Sequence, residues 1–188
     1  MSTSIVLITG ALAGIGRATA LAFAREGSRV LLSGRREDVG NALAAELRSL
    51  GAECDYLSAD VRREEEVRNL VDRAVSRFGR LDIAVNNAGT EGKPGPITET
   101  TAESYAATFD TNVLGTLFSL KHELRVMLPQ GRGCIIASAA IREAGGGRSN
   151  HPISGVRQRP HSSPARCTEL TAERWPERRA HPDALSHL

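Results

Sequence analysis

Long apolar runs are missing from this chain of 188 residues. Charged side chains interrupt every hydrophobic stretch well before the roughly 18 residues that a membrane-spanning helix needs. No basic segment precedes the first apolar run, so a secretory leader is not expected. Cysteine is scarce: Cys54, Cys134 and Cys167 are an odd number without metal-ligand spacing, which suits a reducing, cytoplasmic setting and suggests no metal site. Charge of one sign is lacking as well, since a net +2 is too small to imply nucleic-acid binding. No internal repeat is present. The remaining composition, 40% hydrophobic and 24% charged, is that of a globular domain long enough to bury a sizeable core.

Lysine is nearly absent, two against 22 arginines, and punctuation is unevenly spread. From Arg148 onward the chain holds five of its eight prolines and four of its five histidines, with seven arginines against four acids. Such a jump in proline and charge marks a boundary. Two parts are therefore expected, a folded domain over 1–147 and an irregular tail over 148–188.

Within the first part, short apolar runs alternate with amphipathic stretches. Ile5–Thr9 is apolar and β-branched and ends at Gly10, as a buried parallel strand does. A helix is expected from Arg17 to Glu26, a second strand at Arg29–Ser33, and a second helix from Glu37 to Leu50 capped by Gly51. A third strand follows at Glu53–Ala59, and a third helix at Glu64–Phe78. A fourth strand is expected at Leu81–Val85, a long helix from about Ala102 to Met127 that stops before Pro129, and a fifth strand at Cys134–Ala137. This alternation predicts right-handed β-α-β units on a doubly wound parallel sheet of order 3-2-1-4-5.

In such a sheet a ligand binds beyond the carboxyl ends of the strands, at the point where the strand order reverses. The turn after strand one reads Gly10-Ala-Leu-Ala-Gly14-Ile-Gly16. Gly10 permits a tight turn, Gly14 lets backbone N–H groups approach a pyrophosphate, and Gly16 allows helix and strand to close up, while the helix N-terminus favours phosphate. The competing reading is a plain glycine-rich connection. At the end of strand two, Arg35 and Arg36 stand where an acid would select ribose hydroxyls, which favours a 2′-phosphate and hence NADP over NAD. A solvated basic pair ahead of Glu37 and Asp38 is the alternative.

Thr9-Gly-Ala-Leu-Ala-Gly-Ile-Gly16 also resembles the TGxxxGxG fingerprint of the short-chain dehydrogenase/reductase family, and Asn86-Asn87-Ala88-Gly89 matches its NNAG. Asp60 resembles the residue that meets adenine, Asn112 the active-site asparagine, and Ser138 the active-site serine. The resemblance covers about the first 140 residues and implies a Rossmann-type NAD(P)-binding domain that moves a hydride between nicotinamide and an alcohol or carbonyl. It implies Thr9, Gly10, Gly14, Ile15, Gly16, Arg35, Asp60, Asn86, Ala88 and Gly89 as cofactor residues. Ser138 and Asn112 are implied at the chemistry, with Asn112 holding a helix kink and a water. Plainer roles stay open. Asn86 and Asn87 suit a strand-end turn, Asp60 a helix N-cap, and Asn112 a buried hydrogen bond.

The resemblance then stops. The family's Tyr-x-x-x-Lys pair belongs about 13 residues beyond the serine, where this chain reads His151-Pro-Ile-Ser-Gly155. No tyrosine follows Tyr105 and no lysine follows Lys121. His151 precedes a proline, which favours extended backbone where the family has a helix, and it is a poor substitute for the tyrosine. A one-base shift of reading frame would explain the tail, since shifting Pro152–Val156 restores a Tyr-x-Ala-Ser start. The expected result is an open edge at strand five, exposed apolar surface, doubtful family-type oligomerisation and an inactive chain. A non-catalytic dinucleotide-binding module or a functionless product remains the alternative.

Overall fold

A computed structural model describes residues 3–92 and 95–138. The readings of His151, the frame-shifted tail and the 148–188 segment lie outside these residues. The described chain runs β1 (Ile5–Thr9), α1 (Gly14–Arg25), β2 (Arg29–Gly34), α2 (Glu37–Ser49), β3 (Cys54–Ser58), α3 (Glu64–Phe78) and β4 (Ile83–Asn86). A short 3₁₀ turn (Ile97–Glu99), α4 (Ala102–Phe109), α5 (Gly115–Gln130) and β5 (Cys134–Ala137) follow. The five strands form one parallel sheet in the order β3-β2-β1-β4-β5, as expected from the alternation.

The central strand shows why its sequence is a solid apolar run. Val6 and Ile8 face a core built with Ala20, Leu43 and Leu47 of α1 and α2. Ile5 and Leu7 face the opposite core, built with Leu70, Val71 and Met127 of α3 and α5. Side chains alternate across a strand, so covering both faces demands an apolar residue at every position. Each such burial is worth roughly 1.5–3 kcal/mol. Cys54 joins the core of Val6 and Ile8, and burial pushes its thiol up to about 12.

Local rules set the ends of the helices. Three glutamates open α3, Arg77 lies in its last turn, and Gly79 closes it with φ of 89°. Thr101 and Ser104 form a reciprocal capping box at the start of α4. Like α2 and α3, α1 starts with no side-chain cap, here after Ala13, but unlike them it has no acid in its first turn, which leaves its first N–H groups without a side-chain acceptor.

The long helix expected from Ala102 to Met127 is instead two helices joined by a π-helical segment, Asp110–Leu114. Hydroxyls lie within and just after this break. Thr111 donates to the Ala107 carbonyl at 3.0 Å, and Thr116 to the Asn112 carbonyl at 2.8 Å. Such back-bonding competes with the helical ladder and bends it. The expected stop before Pro129 also fails, because α5 continues through Pro129 to Gln130. Gln130 there pairs with the backbone of Leu81, accepting from its N–H at 3.1 Å and donating to its carbonyl at 2.8 Å. That tether and the left-handed Gly131 hold the last turn in place.

Candidate dinucleotide site

Two turns meet where the strand order reverses, one after β1 and one after β4. Thr9 joins them. Its buried hydroxyl oxygen accepts from the backbone N–H groups of Asn87 and Ala88, each at 3.2 Å. Asn87 returns the link by donating its side-chain amide to the Gly10 carbonyl at 3.1 Å. The turns press so closely that a Cβ on Gly10 would lie 2.7 Å from the Ala88 Cα. One on Gly16 would lie 2.2 Å from the Gly10 oxygen. These two glycines are forced by packing. Gly14 differs, since open space lies where its Cβ would project and only its left-handed backbone, at φ +53°, favours glycine.

In front of the joined turns is a cleft of about 530 Å³, lined by Gly10, Leu12 and Ala13 on one side and by Ala88, Gly89 and Thr90 on another. Ser33, Arg35, Arg36, Asp60 and Arg62 close its far end. Asp60 is the single acid among these lining residues, against three arginines. The buried hydroxyl of Ser33 has no hydrogen-bond partner among the described residues and lines the same cleft. Uncapped helix N–H groups, backbone approachable at glycine, an unpartnered hydroxyl and an arginine-rich end suit an elongated ligand bearing phosphates.

Asp60 is not a free carboxylate. Arg62 binds it from two nitrogens, Nε at 3.0 Å to both oxygens and Nη2 at 2.5 Å to Oδ2, and the Arg62 backbone N–H adds a bond at 3.1 Å. The Arg62 hydrogen bond holds the carboxyl below its ordinary range despite partial burial. The N-cap position of α3 belongs to Arg63, so Asp60 turns the chain ahead of that helix and does not cap it.

The other anticipated residues separate into layers. Gly10, Arg35, Asp60, Ala88 and Gly89 line the cleft, while Thr9, Gly16 and Asn86 stand behind it and hold the turns. Ile15 is 71% exposed on the first turn of α1. Asn112 sits in the π-helical break, with its side chain bonded to the backbone of Thr90. Ser138 is exposed and extends the β5 ladder by one bond, its N–H donating to the Asn86 carbonyl at 2.9 Å. Neither Asn112 nor Ser138 lines the cleft.

Sequence reading missed two residues. Arg62 lies two positions beyond Asp60, within reach of its carboxylate, and that spacing was the available signal. Glu123 is an acid at 1% exposure on a stripe of α5 that also buries Gly115, Ser119 and Met127. Its four-residue spacing from Ser119 was legible.

A parallel doubly wound sheet with a glycine turn ahead of an uncapped helix defines the class of Rossmann-type nucleotide-binding domains. A family model described as short chain dehydrogenase matches residues 4–148, and the chain belongs to that family. It is 37% identical over 150 residues to tropinone reductase-like 2 of Erythroxylum coca, which spans 78% of this chain and 54% of that protein. It is 36% identical over 154 residues to xanthoxin dehydrogenase of Arabidopsis thaliana, covering 80% and 54%. Among solved structures, NAD+-bound xylitol dehydrogenase superposes with a TM-score of 0.75 at 33% identity, covering 81% of this chain and 58% of that one. An actinorhodin polyketide ketoreductase with NADPH gives 0.69 at 36% identity, covering 72% and 52%. The chain spans about half the length of the curated relatives it matches.

Proposed function

We propose that this chain binds a nicotinamide dinucleotide in the cleft between β1, β2 and β4, through a domain spanning 1–147. By lineage it is the cofactor-binding part of an alcohol/carbonyl oxidoreductase. The observation that carries the reading is the uncapped N-terminus of α1 beside Gly10 and Gly14, at the reversal point of the sheet. Relatives in solved structures are described with NAD+ and with NADPH, which supports this class of ligand. When bound, the dinucleotide supplies or accepts the hydride.

The chain's own residues have positional roles. The first turn of α1 receives the pyrophosphate, and Thr9 and Asn87 keep the two turns locked around it. Arg35 and Arg36 stand at the adenosine end, and with Arg62 engaged by Asp60 they are the guanidiniums left for a 2′-phosphate, so NADP is the preferred form. Ser138 and Asn112 are the residues of this chain nearest in kind to the family's chemistry. A general acid of the family's type is missing from the sequence, because no tyrosine follows Tyr105 and no lysine follows Lys121. The proposed behaviour is therefore binding without turnover, in the cytoplasm.

Fluorescence titration of the full chain with NADPH and NADH tests this. The expected outcome is saturable binding, tighter for NADPH, with no ketone reduction above an enzyme-free blank. Absence of binding by both dinucleotides would overturn the reading, and turnover of a ketone would overturn the assignment as inactive. Tighter NADH binding would remove the arginine argument alone.

A further inference from the structure

Behind the β4 turn lies a buried pair that does not itself line the cleft. Asn86, the last residue of β4, donates from Nδ2 to Glu123 Oε2 at 2.9 Å. Asn86 is 6% exposed and Glu123 1%. The remaining oxygen of each group, Asn86 Oδ1 and Glu123 Oε1, is buried and has no hydrogen-bond partner among the described residues. Two buried oxygens left over on groups already joined by one hydrogen bond share a simple remedy. A proton on Glu123 Oε1 lets the acid donate to Asn86 Oδ1 while it accepts from Nδ2, closing a ring of two bonds. An ionised carboxylate cannot do this: it would keep the single bond from Nδ2 and leave Oε1 and Asn86 Oδ1 unpaired in the core.

Surrounding charges leave the pair alone. On α5, Lys121 and His122 both engage Glu64 of α3, and Arg125 engages Asp72 of α3. Asp82, ahead of β4, is held by Arg80 and Arg132. Asp110 lies in the π-helical segment at the other end of α5, and β5 presents no ionised group among its described residues. Burial dominates the ionisation of Glu123, opposed by the Asn86 bond, and raises its pKa to about 7. The acid therefore changes charge within the physiological range.

The pair also has a route to the cleft. Asn86 pairs with Thr9 in the ladder, and the next two residues donate to the Thr9 hydroxyl. Asn87 further holds the Gly10 carbonyl. Whatever shifts Asn86 shifts the wall formed by Ala88 and Gly89.

We propose that Glu123 is a positioning residue that, as a neutral carboxylic acid, locks the Asn86 side chain and through it the Asn87–Gly89 turn, so that dinucleotide affinity falls as Glu123 ionises. The coupling to affinity rests on the dinucleotide reading above, whereas the acid–amide ring does not.

Two readouts on the full chain separate these. The first is the urea unfolding midpoint of wild type and Glu123→Gln between pH 5 and 8. Glutamine keeps the neutral donor-and-acceptor pattern and removes the titration. Wild type is expected to lose stability as pH rises through this window relative to Glu123→Gln; parallel curves would overturn the ring. The second is calorimetric titration with ADP-ribose, which lacks the 2′-phosphate that itself titrates near pH 6. Wild-type affinity is expected to fall roughly tenfold from pH 6 to 8, an effect of about one pKa unit of differential interaction. Glu123→Gln should hold the acid-limb affinity throughout, and Glu123→Ala should be weak at every pH. Equal pH slopes in wild type and Glu123→Gln would overturn the coupling. Absence of ADP-ribose binding at every pH would overturn both the coupling and the dinucleotide reading, while the midpoints still decide the ring.

Discussion

Asn112 pairs with the backbone of Thr90 as one strand residue pairs with another. Its Oδ1 accepts from the Thr90 N–H and its Nδ2 donates to the Thr90 carbonyl, both at 2.8 Å. The π-helical break displaces this side chain from the regular helical face and ties the loop after β4 to the α4–α5 unit. Asn112→Ala should cost about 1 kcal/mol, because both Thr90 groups can turn to water at this exposed site. Asn112→Asp keeps the acceptor and loses the donor. Hydrogen exchange at the Thr90 amide checks this, with fast exchange in the alanine variant and slow exchange retained in the aspartate variant.

Gly16 and Gly14 should respond differently to the same added methyl group. At Gly16 the Cβ would lie 2.2 Å from the Gly10 oxygen and 2.6 Å from Asn87 Nδ2, so the two turns must part. Gly16→Ala should lose about 1–3 kcal/mol to overpacking, with dinucleotide binding lost as well. Gly14→Ala meets no neighbour and should cost about 1–2 kcal/mol through its left-handed backbone alone. Denaturant midpoints of the two variants, read beside ADP-ribose affinity, distinguish the causes.

Arg62→Ala should leave stability within about 1 kcal/mol, since the Asp60 pair lies near the surface. Its effect should appear in the titration of Asp60. Without the guanidinium the carboxyl loses its main stabilising hydrogen bond and moves up toward the ordinary aspartate range. Carbon-detected NMR of the Asp60 side chain through an acid titration reads this directly.

Two glutamates with opposite shifts should give the pH dependence of stability a maximum. Lys121 and His122 hold the Glu64 carboxyl below the ordinary glutamate value. Its contribution is present above that value and is lost as pH falls through the folded pKa. Glu123 is shifted up, so the folded state holds its proton longer, and stability falls from about pH 4.5 to 7. Glu64→Gln should flatten the acid limb of the unfolding-midpoint profile and leave the neutral limb in place.

Tyr105 of α4, Val113 of the π-helical segment and Leu117 of α5 fall on one four-residue spacing, with Phe109 between the first two, and are 55%, 57% and 58% exposed. Tyr105 stacks on Phe109 with ring centroids 4.1 Å apart, which extends this apolar stripe. A double change, Val113→Asp with Leu117→Asp, should reduce concentration-dependent light scattering without lowering the unfolding midpoint. Unchanged scattering would remove this face from the account of solubility.

Much of the sheet was legible because a strand covered on both faces must be apolar throughout, as Ile5–Thr9 is. α3 was legible at both ends, with glutamates at its start and Gly79 after its last turn. The break at Asp110–Leu114 was not legible from hydrophobic spacing, because threonine hydroxyls bonding back to carbonyls leave no period to count; only the family resemblance, which implied a kink at Asn112, pointed to it. Pro129 misled for a related reason, since the Gln130–Leu81 tether is a tertiary contact that no local rule anticipates. At the candidate site, Gly10 and Asp60, both singled out in the sequence, line one and the same cleft. The Arg62 clasp and the buried acid at Glu123 went unread, because each depends on which side chain the fold brings alongside.

The central place of β1 bears on how the molecule is made. β1 pairs with β2 on one side after a short connection, but on the other side its partners in β4 lie 77 residues further along, as Val6 with Ile83. During synthesis or refolding, the β1–β2–β3 ladder can form with α1 and α2 while the far edge of β1 still presents its backbone N–H and C=O groups among Ile, Val and Leu side chains. Closing that edge is a slow, long-range event, and until it happens the half-built sheet can pair with another copy of itself. Refolding yield should therefore fall steeply with protein concentration even where the native state is stable.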